Sequence, residues 1–221
     1  MIEPRTTRLL LLRHGETSQP DLFHGSESDV VLGERGRLQA QGAGRWLGTC
    51  NASALYCSGL KRARETANIV ALDTNLVPVV QPTLHERRMG ILSGVNRAEH
   101  WHIYEATRAR WMAGELDATH EGAESYQEIA DRIRPTFTAM AEAHRGSTII
   151  VVAHGVVIRV FLTAMVAGFT PADWDHIGID CAAVNDLTWD GSTWRALALN
   201  QDVSGRALHQ ASASKKLPGG W

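Results

Sequence analysis

Cysteine is scarce in this chain. Cys50, Cys57 and Cys181 are the three present, odd in number, widely spaced and without a CxxC pair. That argues against a disulfide framework and a structural zinc site, and it fits a reducing compartment. Long hydrophobic runs are missing too. The apolar run near the start, Leu9 to Leu12, is far too short to span a bilayer, and no apolar signal-peptide region precedes it. A cytoplasmic protein with no membrane partner is expected. There is no long basic run and the formal net charge is -2, so non-specific binding to nucleic acid has no electrostatic basis. No G-x-x-x-x-G-K-[ST] loop occurs, which speaks against a nucleotide-dependent kinase. The Gly42-Ala43-Gly44 run lies in a helical pattern and follows no strand, so it is no dinucleotide fingerprint.

What is present is an ordinary globular composition. Of 221 residues, 44% are apolar and 21% charged. That suffices for one α/β domain with a substantial core, over residues 1–203, and is short for two. Residues 8–13 (RLLLLR) read as a buried strand, followed by a polar loop over 15–33. Glu34–Leu47 reads as a helix despite internal glycines, Ala54–Cys57 as a strand, 60–72 as a helix capped by Ser58, and 77–80 as a short strand. A Trp-, His- and Arg-rich stretch over about 96–124 reads as a small helical insertion over the site. Ser125 and Glu128 form a capping box for a helix with Pro135 as a kink. Thr148–Ala153 is the most hydrophobic strand candidate, and a helix follows over 156–166. Strands over 182–189 and 194–199 close around an Asp190-Gly191 turn, and a Ser/Ala/Gly/Lys-rich tail from 204 is expected to fray. The alternation predicts a three-layer α/β/α sandwich with a mostly parallel central sheet and helices on both faces.

Four motifs carry chemistry. Arg13-His14-Gly15-Glu16-Thr17 follows the first strand, where ligands of open α/β sheets bind. Ala153-His154-Gly155 repeats the arrangement after the most apolar strand, and the next helix would aim N–H groups at an anion. Arg62, in Ser58-Gly59-Leu60-Lys61-Arg62-Ala63-Arg64-Glu65-Thr66-Ala67, places a cation in the first turn of a helix. There it opposes the helix dipole unless an anion neutralises it. Arg64 points elsewhere and reads as a surface residue. Glu86 is a carboxylate on a glycine-containing loop that runs to Gly94, a candidate proton donor. Plain readings stand beside these: Arg62 as a surface cation, Glu86 as a solvated carboxylate, and Glu16 and Thr17 as loop-shaping residues.

The Arg-His-Gly triplet, the S-x-L-x-R-A-x-x-T-A-like helix start, the L-x-E-x-x-x-G-x-x-x-G loop and the later His-Gly resemble the histidine phosphatase (phosphoglycerate mutase-like) superfamily, in that family's order and over residues 8–159. One such triplet is weak evidence, whereas four motifs in register are strong. The resemblance implies that His14 attacks phosphorus and forms a phosphohistidine. It implies that Arg13, Arg62 and His154 bind the equatorial oxygens, and that Glu86 protonates the leaving alcohol and later helps activate water. Gly15, Glu16, Thr17, His24, Gly25 and Gly155 are expected to line the phosphate pocket. No metal and no other cofactor is implied. Pro20 stands where family members often carry Asn, and the loop to His24-Gly25 is shorter than usual.

The resemblance covers both phosphatases and mutases. The loop residues Glu86-Arg87 and Asn96-Arg97 echo mutases, but the insertion is short and Val156 stands where mutases tend to carry Asn. A mutase must keep water from the phosphohistidine, so a shorter cap favours hydrolysis of a small phosphorylated metabolite. A cofactor-dependent phosphoglycerate mutase and a non-catalytic phosphate-binding or signalling domain are the alternatives. Arg87, Arg97, Trp101, Arg108 and Trp111 are candidates for substrate specificity. Arg97, Arg108 or Arg110 would serve a second anionic group. Trp101, Tyr104, Arg108 and Trp111 share a helical face that reads either as packing or as a substrate wall. His100, His102 and His120 lack a matching carboxylate or cysteine set for a metal. A homo-oligomer stays open.

Overall fold

Four consecutive leucines leave a strand no polar face, so it must lie between two layers. The computed structural model, which describes residues 6–204, places them so. Strand β1 (Thr7–Arg13) sits inside a six-stranded sheet. Successive side chains of a strand point to opposite faces. Leu9 and Leu11 accordingly join one core cluster with Ile149 and Val151, while Leu10 and Leu12 join the other with Ile150 and Val152.

Helix α1 (Glu34–Leu47), strand β2 (Ala54–Cys57), helix α2 (Lys61–Thr74) and strand β3 (Pro78–Val80) come next in the chain. Short 3-10 turns at Pro82–Leu84 and Gly90–Leu92 lead into helix α3 (Arg97–Met112). Helix α4 (Tyr126–Ala143), strand β4 (Thr148–Ala153), helix α5 (Gly155–Met165), a 3-10 turn at Pro171–His176, and strands β5 (Val184–Trp189) and β6 (Trp194–Gln201) complete the order. The sheet order is β3-β2-β4-β1-β5-β6. Strands β3, β2, β4 and β1 are parallel, while β5 and β6 pair antiparallel at one side. The fold is mixed α/β, with α1 and α2 on one face of the sheet and α4 and α5 on the other.

The glycines of α1 have a packing reason. A side chain at Gly36 would run into the backbone of Glu16, and one at Gly15 would strike the Gly36 carbonyl. The two bare backbones therefore let the start of α1 close against the loop after β1. Gly44 faces Val70 and Asp73 of α2, where a Cβ would lie 3.4 Å from the Val70 Cα. The capping box of α4 is formed, with Glu128 N–H donating to Ser125 Oγ at 3.2 Å and Ser125 N–H donating to Glu128 Oε2 at 2.7 Å. Pro135 lies inside α4, which continues through it. The 96–124 stretch holds one α-helix rather than several, capped by Asn96 and followed by turns. Beyond Ser204, the expected tail lies outside the described residues. Among the described residues no helix is long and apolar enough to cross a membrane.

Candidate active site

The order β2-β4-β1 brings three parallel strand ends together. β1 is in register with β4, Arg13 opposite Ala153, so His14 and His154 leave the sheet side by side. Their ring centroids are 5.1 Å apart. His14 is 6% exposed, and its Nδ1 lies 2.7 Å from the Gly15 carbonyl oxygen. A carbonyl only accepts, so Nδ1 carries the proton and Nε2 keeps its lone pair. His154 is fully buried, and its Nε2 lies 2.7 Å from Ser58 Oγ at the end of β2. Ser58 was expected to cap α2. Instead Leu60 is the N-cap residue, and the Ser58 hydroxyl faces His154.

Arg62 is fully buried in the first turn of α2, not on the surface. Its guanidinium donates to the carbonyls of Ser28 at 3.0 Å, Gly25 at 3.1 Å and His24 at 3.4 Å, and to no carboxylate among the described residues. Desolvation drives its pKa down to about 10, against the pull of Glu86. Arg13 donates to the Ile179 carbonyl at 2.6 Å. Four buried nitrogens at the site have no partner among the described residues: Arg13 Nε, Arg62 Nε, Arg97 Nε and His154 Nδ1. Buried donors are normally satisfied, so a cluster of orphans marks a place built for acceptor atoms.

Glu86 is 7% exposed and accepts from its neighbour Arg87 N–H at 2.8 Å and from Val156 N–H at 3.3 Å. The Glu86 carboxyl thus sits against the first turn of α5. Glu27 and Glu124 clamp the loop that follows. Glu27 accepts from Met89 N–H and Gly90 N–H, and Glu124 accepts from Arg88 N–H.

Two adjoining hollows share Arg13, His24, Glu86 and Arg97. One adds His14, Glu16, Thr17, Pro20 and Cys181, and the other adds Phe23, Met89, Trp101, Tyr104, Gly155 and Arg159. Arg62 and His154 lie behind them without lining either. Gly25 contributes its carbonyl to Arg62 and packs against Met89. Among the specificity candidates, Arg97 and Trp101 line the cleft. Arg87 and Trp111 do not: both are fully buried, the guanidinium 4.6 Å from the indole centroid, with Arg87 donating to the Glu124 carbonyl and Trp111 to the Ala118 carbonyl. Arg108 pairs with Asp175 at 2.7 Å and Arg110 with Glu115 at 2.7 Å, away from the cleft. His120 is engaged at both ring nitrogens, by Thr107 and the Met89 carbonyl. Among the described residues no group of three metal-binding side chains is assembled. Sequence reasoning missed Arg159, which donates to the Ile177 carbonyl. Its signal was an arginine inside GVVIRVFLTAM, an otherwise apolar helix.

Burial, then Arg62 and Arg13, hold the His14 pKa well below its ordinary 6.5, and burial with Arg62 does the same to His154. Both rings are neutral at pH 7. The unfolded chain takes up these protons near pH 6.5 while the folded protein refuses them, so stability falls as pH drops below 6.5. Each of these buried rings contributes a slope approaching about 1.4 kcal/mol per pH unit. Urea midpoints measured from pH 7 to pH 5 are expected to fall, and less steeply in His14→Ala. An unchanged slope in that variant would contradict the assigned neutrality.

Comparison with known proteins places the chain in a family. A model of the histidine phosphatase superfamily (branch 1) matches residues 9–202. A metal-independent phosphoserine phosphatase of Arabidopsis thaliana is 29% identical over 199 residues, 87% of this chain and 83% of the relative. A 2,3-bisphosphoglycerate-dependent phosphoglycerate mutase of Gloeobacter violaceus is 32% identical over 161 residues, 70% of this chain and 73% of the relative. The solved structure of a mycobacterial glucosyl-3-phosphoglycerate phosphatase with VO3 has a TM-score of 0.77 at 29% identity, covering 87% of this chain and 98% of that one. With that family model matching residues 9–202, the chain belongs to the histidine phosphatase superfamily, branch 1.

Proposed function

We propose that this protein is a metal-independent phosphatase that hydrolyses a small phosphomonoester through a phosphohistidine on His14. The observation that carries this reading is the set of orphaned donors beside a nucleophilic nitrogen. Arg13 Nε, Arg62 Nε and His154 Nδ1 are buried without acceptors among the described residues, and the His14 Nδ1–H is tied to Gly15. A phosphoryl group brings three acceptor oxygens and the negative charge that Arg62 lacks.

In the first half-reaction His14 Nε2 forms a bond to phosphorus as the ester P–O bond breaks. Glu86 gives its proton to the leaving alcohol oxygen. In the second, water attacks phosphorus as the Nε2–P bond breaks and returns its electron pair to His14, while the water proton passes to Glu86, which restores the acid and releases phosphate. The arginines and the His154 N–H stabilise the charge that spreads over the equatorial oxygens, a role otherwise filled by a metal ion. Arg97, stacked 5.2 Å from the Phe23 ring centroid, is suited to a second anionic group on the substrate. Val156, apolar and buried at the cleft, offers that group no side-chain hydrogen bond. The three cysteines are unpaired thiols, which fits a reducing cytoplasm.

Phosphate release from p-nitrophenyl phosphate and a panel of metabolite phosphates, with and without EDTA, tests the proposal. Release is expected to be insensitive to the chelator. In the same assay Glu86→Gln is expected to slow alkyl phosphates by roughly 10²- to 10⁴-fold and p-nitrophenyl phosphate far less, because a good leaving group needs little protonation. Equal losses would remove Glu86 from the acid role. Conversion of 3-phosphoglycerate to 2-phosphoglycerate without release would make the protein a mutase, and phosphate binding without either reaction would make it a binding domain.

A further inference from the structure

We infer that Ser58 is a positioning residue whose hydroxyl holds His154 in the tautomer that keeps its proton on Nδ1. The inference rests on the phosphoryl-transfer reading above and goes beyond it to a residue with no contact to the reacting atoms. Ser58 is fully buried at the end of β2, with its Oγ 2.7 Å from His154 Nε2. Its Oγ has one further partner among the described residues, the Leu60 N–H, which donates to it at 3.3 Å. The serine proton then has a single acceptor in reach, the lone pair of His154 Nε2. The reverse arrangement, with Nε2–H donating to Oγ, would strand the hydroxyl proton in a site shut off from solvent.

A neutral imidazole carries one N–H, so accepting at Nε2 puts the proton on Nδ1. That nitrogen is the buried one without a partner. A free histidine ring prefers its proton on Nε2, so the opposite choice has to be imposed from outside. Gly15 imposes the same tautomer on His14 from the other end by accepting its Nδ1–H. Two rings with identical protonation thereby offer opposite faces. His14 presents a lone pair to phosphorus, and His154 presents a hydrogen to a phosphoryl oxygen. The other tautomer of His154 would turn a lone pair toward an anion.

The decisive measurement is 15N-edited NMR of the histidine rings in the unliganded wild-type protein, with His154 assigned by the loss of its signals in His154→Asn. The expected spectrum shows a protonated Nδ1 and a lone-pair Nε2, and an Nε2–H form overturns the inference. This readout needs no turnover. A protein that releases no phosphate would sink the phosphatase reading alone, whereas the wrong tautomer in an active enzyme would sink the role of Ser58 alone. In Ser58→Ala the proton is expected to shift toward Nε2. We expect kcat/KM and orthovanadate affinity each to fall about tenfold, the loss of one charge-assisted hydrogen bond in part of the population. An unchanged tautomer in this variant, or a changed tautomer with wild-type kcat/KM, would also overturn it. If the variant does not fold, the wild-type spectrum still decides.

Discussion

Replacing His14 with alanine is expected to lower phosphate release by on the order of 10⁴-fold or more, because it removes the nucleophile that forms the covalent intermediate. The fold should survive. The His14 ring makes its one hydrogen bond to the adjacent Gly15 carbonyl and borders the open cleft, so its loss leaves no sealed cavity. A stability change within about 1–2 kcal/mol is expected, readable by thermal unfolding. Wild-type enzyme quenched during turnover of 32P-labelled substrate should carry an acid-labile, base-stable phosphoryl group, and the variant should carry none. Hydrolysis in His14→Ala within tenfold of wild type would end the covalent reading.

Arg62→Met is expected to cost roughly 10³-fold in kcat/KM, in the range seen when one preorganised donor to developing negative charge is removed. Arg62 is the informative arginine because it is wholly buried and held by three carbonyls rather than by an acid. No carboxylate pairs with its guanidinium among the described residues, and burial has already driven its pKa down to about 10. In linkage terms a lowered arginine pKa means that the charge disfavours the folded state at every pH below about 10, and that the penalty is relieved as pH rises above that. An anion in the cleft relieves it at neutral pH. Phosphate or orthovanadate should therefore raise the Tm of wild type, by about 2.7 kcal/mol of stability at a hundredfold excess over Kd. The Arg62→Met protein should show almost none of this shift. Arg62→Lys should recover part of the ligand shift but little of the rate, since an ammonium restores the charge without the planar fork. A Met variant that keeps the full shift, or kcat/KM within tenfold, would place Arg62 in a structural role.

How far the sequence reached depends on whether a signal is local. The leucine run of β1 had to be buried on both faces, and the Ser125–Glu128 box had to start a helix, because neighbouring residues alone carry those constraints. The His-Gly pairs after the two most apolar strands were equally readable, since a strand end in a parallel sheet is where a ligand site forms. Choices between similar residues were not. Arg87 and Arg97 looked interchangeable on paper, yet one stacks under Trp111 and the other lines the cleft.

The aromatic stripe of α3 shows why. Trp101 and Trp111 share a face but stand ten residues apart, about 15 Å along the axis. At one end Trp101 and Tyr104 meet Phe23 at the cleft, while at the other Trp111 meets Tyr126 and Trp174 in the core. Helical spacing reports a face and cannot report what lies opposite each turn of it. By itself the sequence determined the strands, the course of the main helices, the two histidines and the family pattern, all set by short-range periodicity and motif order. Only the tertiary structure decided that Ser58 serves His154 rather than α2, that the N–H of Val156 holds Glu86, and which arginines are left with orphaned donors. Those outcomes depend on the sheet order β2-β4-β1, which is set by long-range packing.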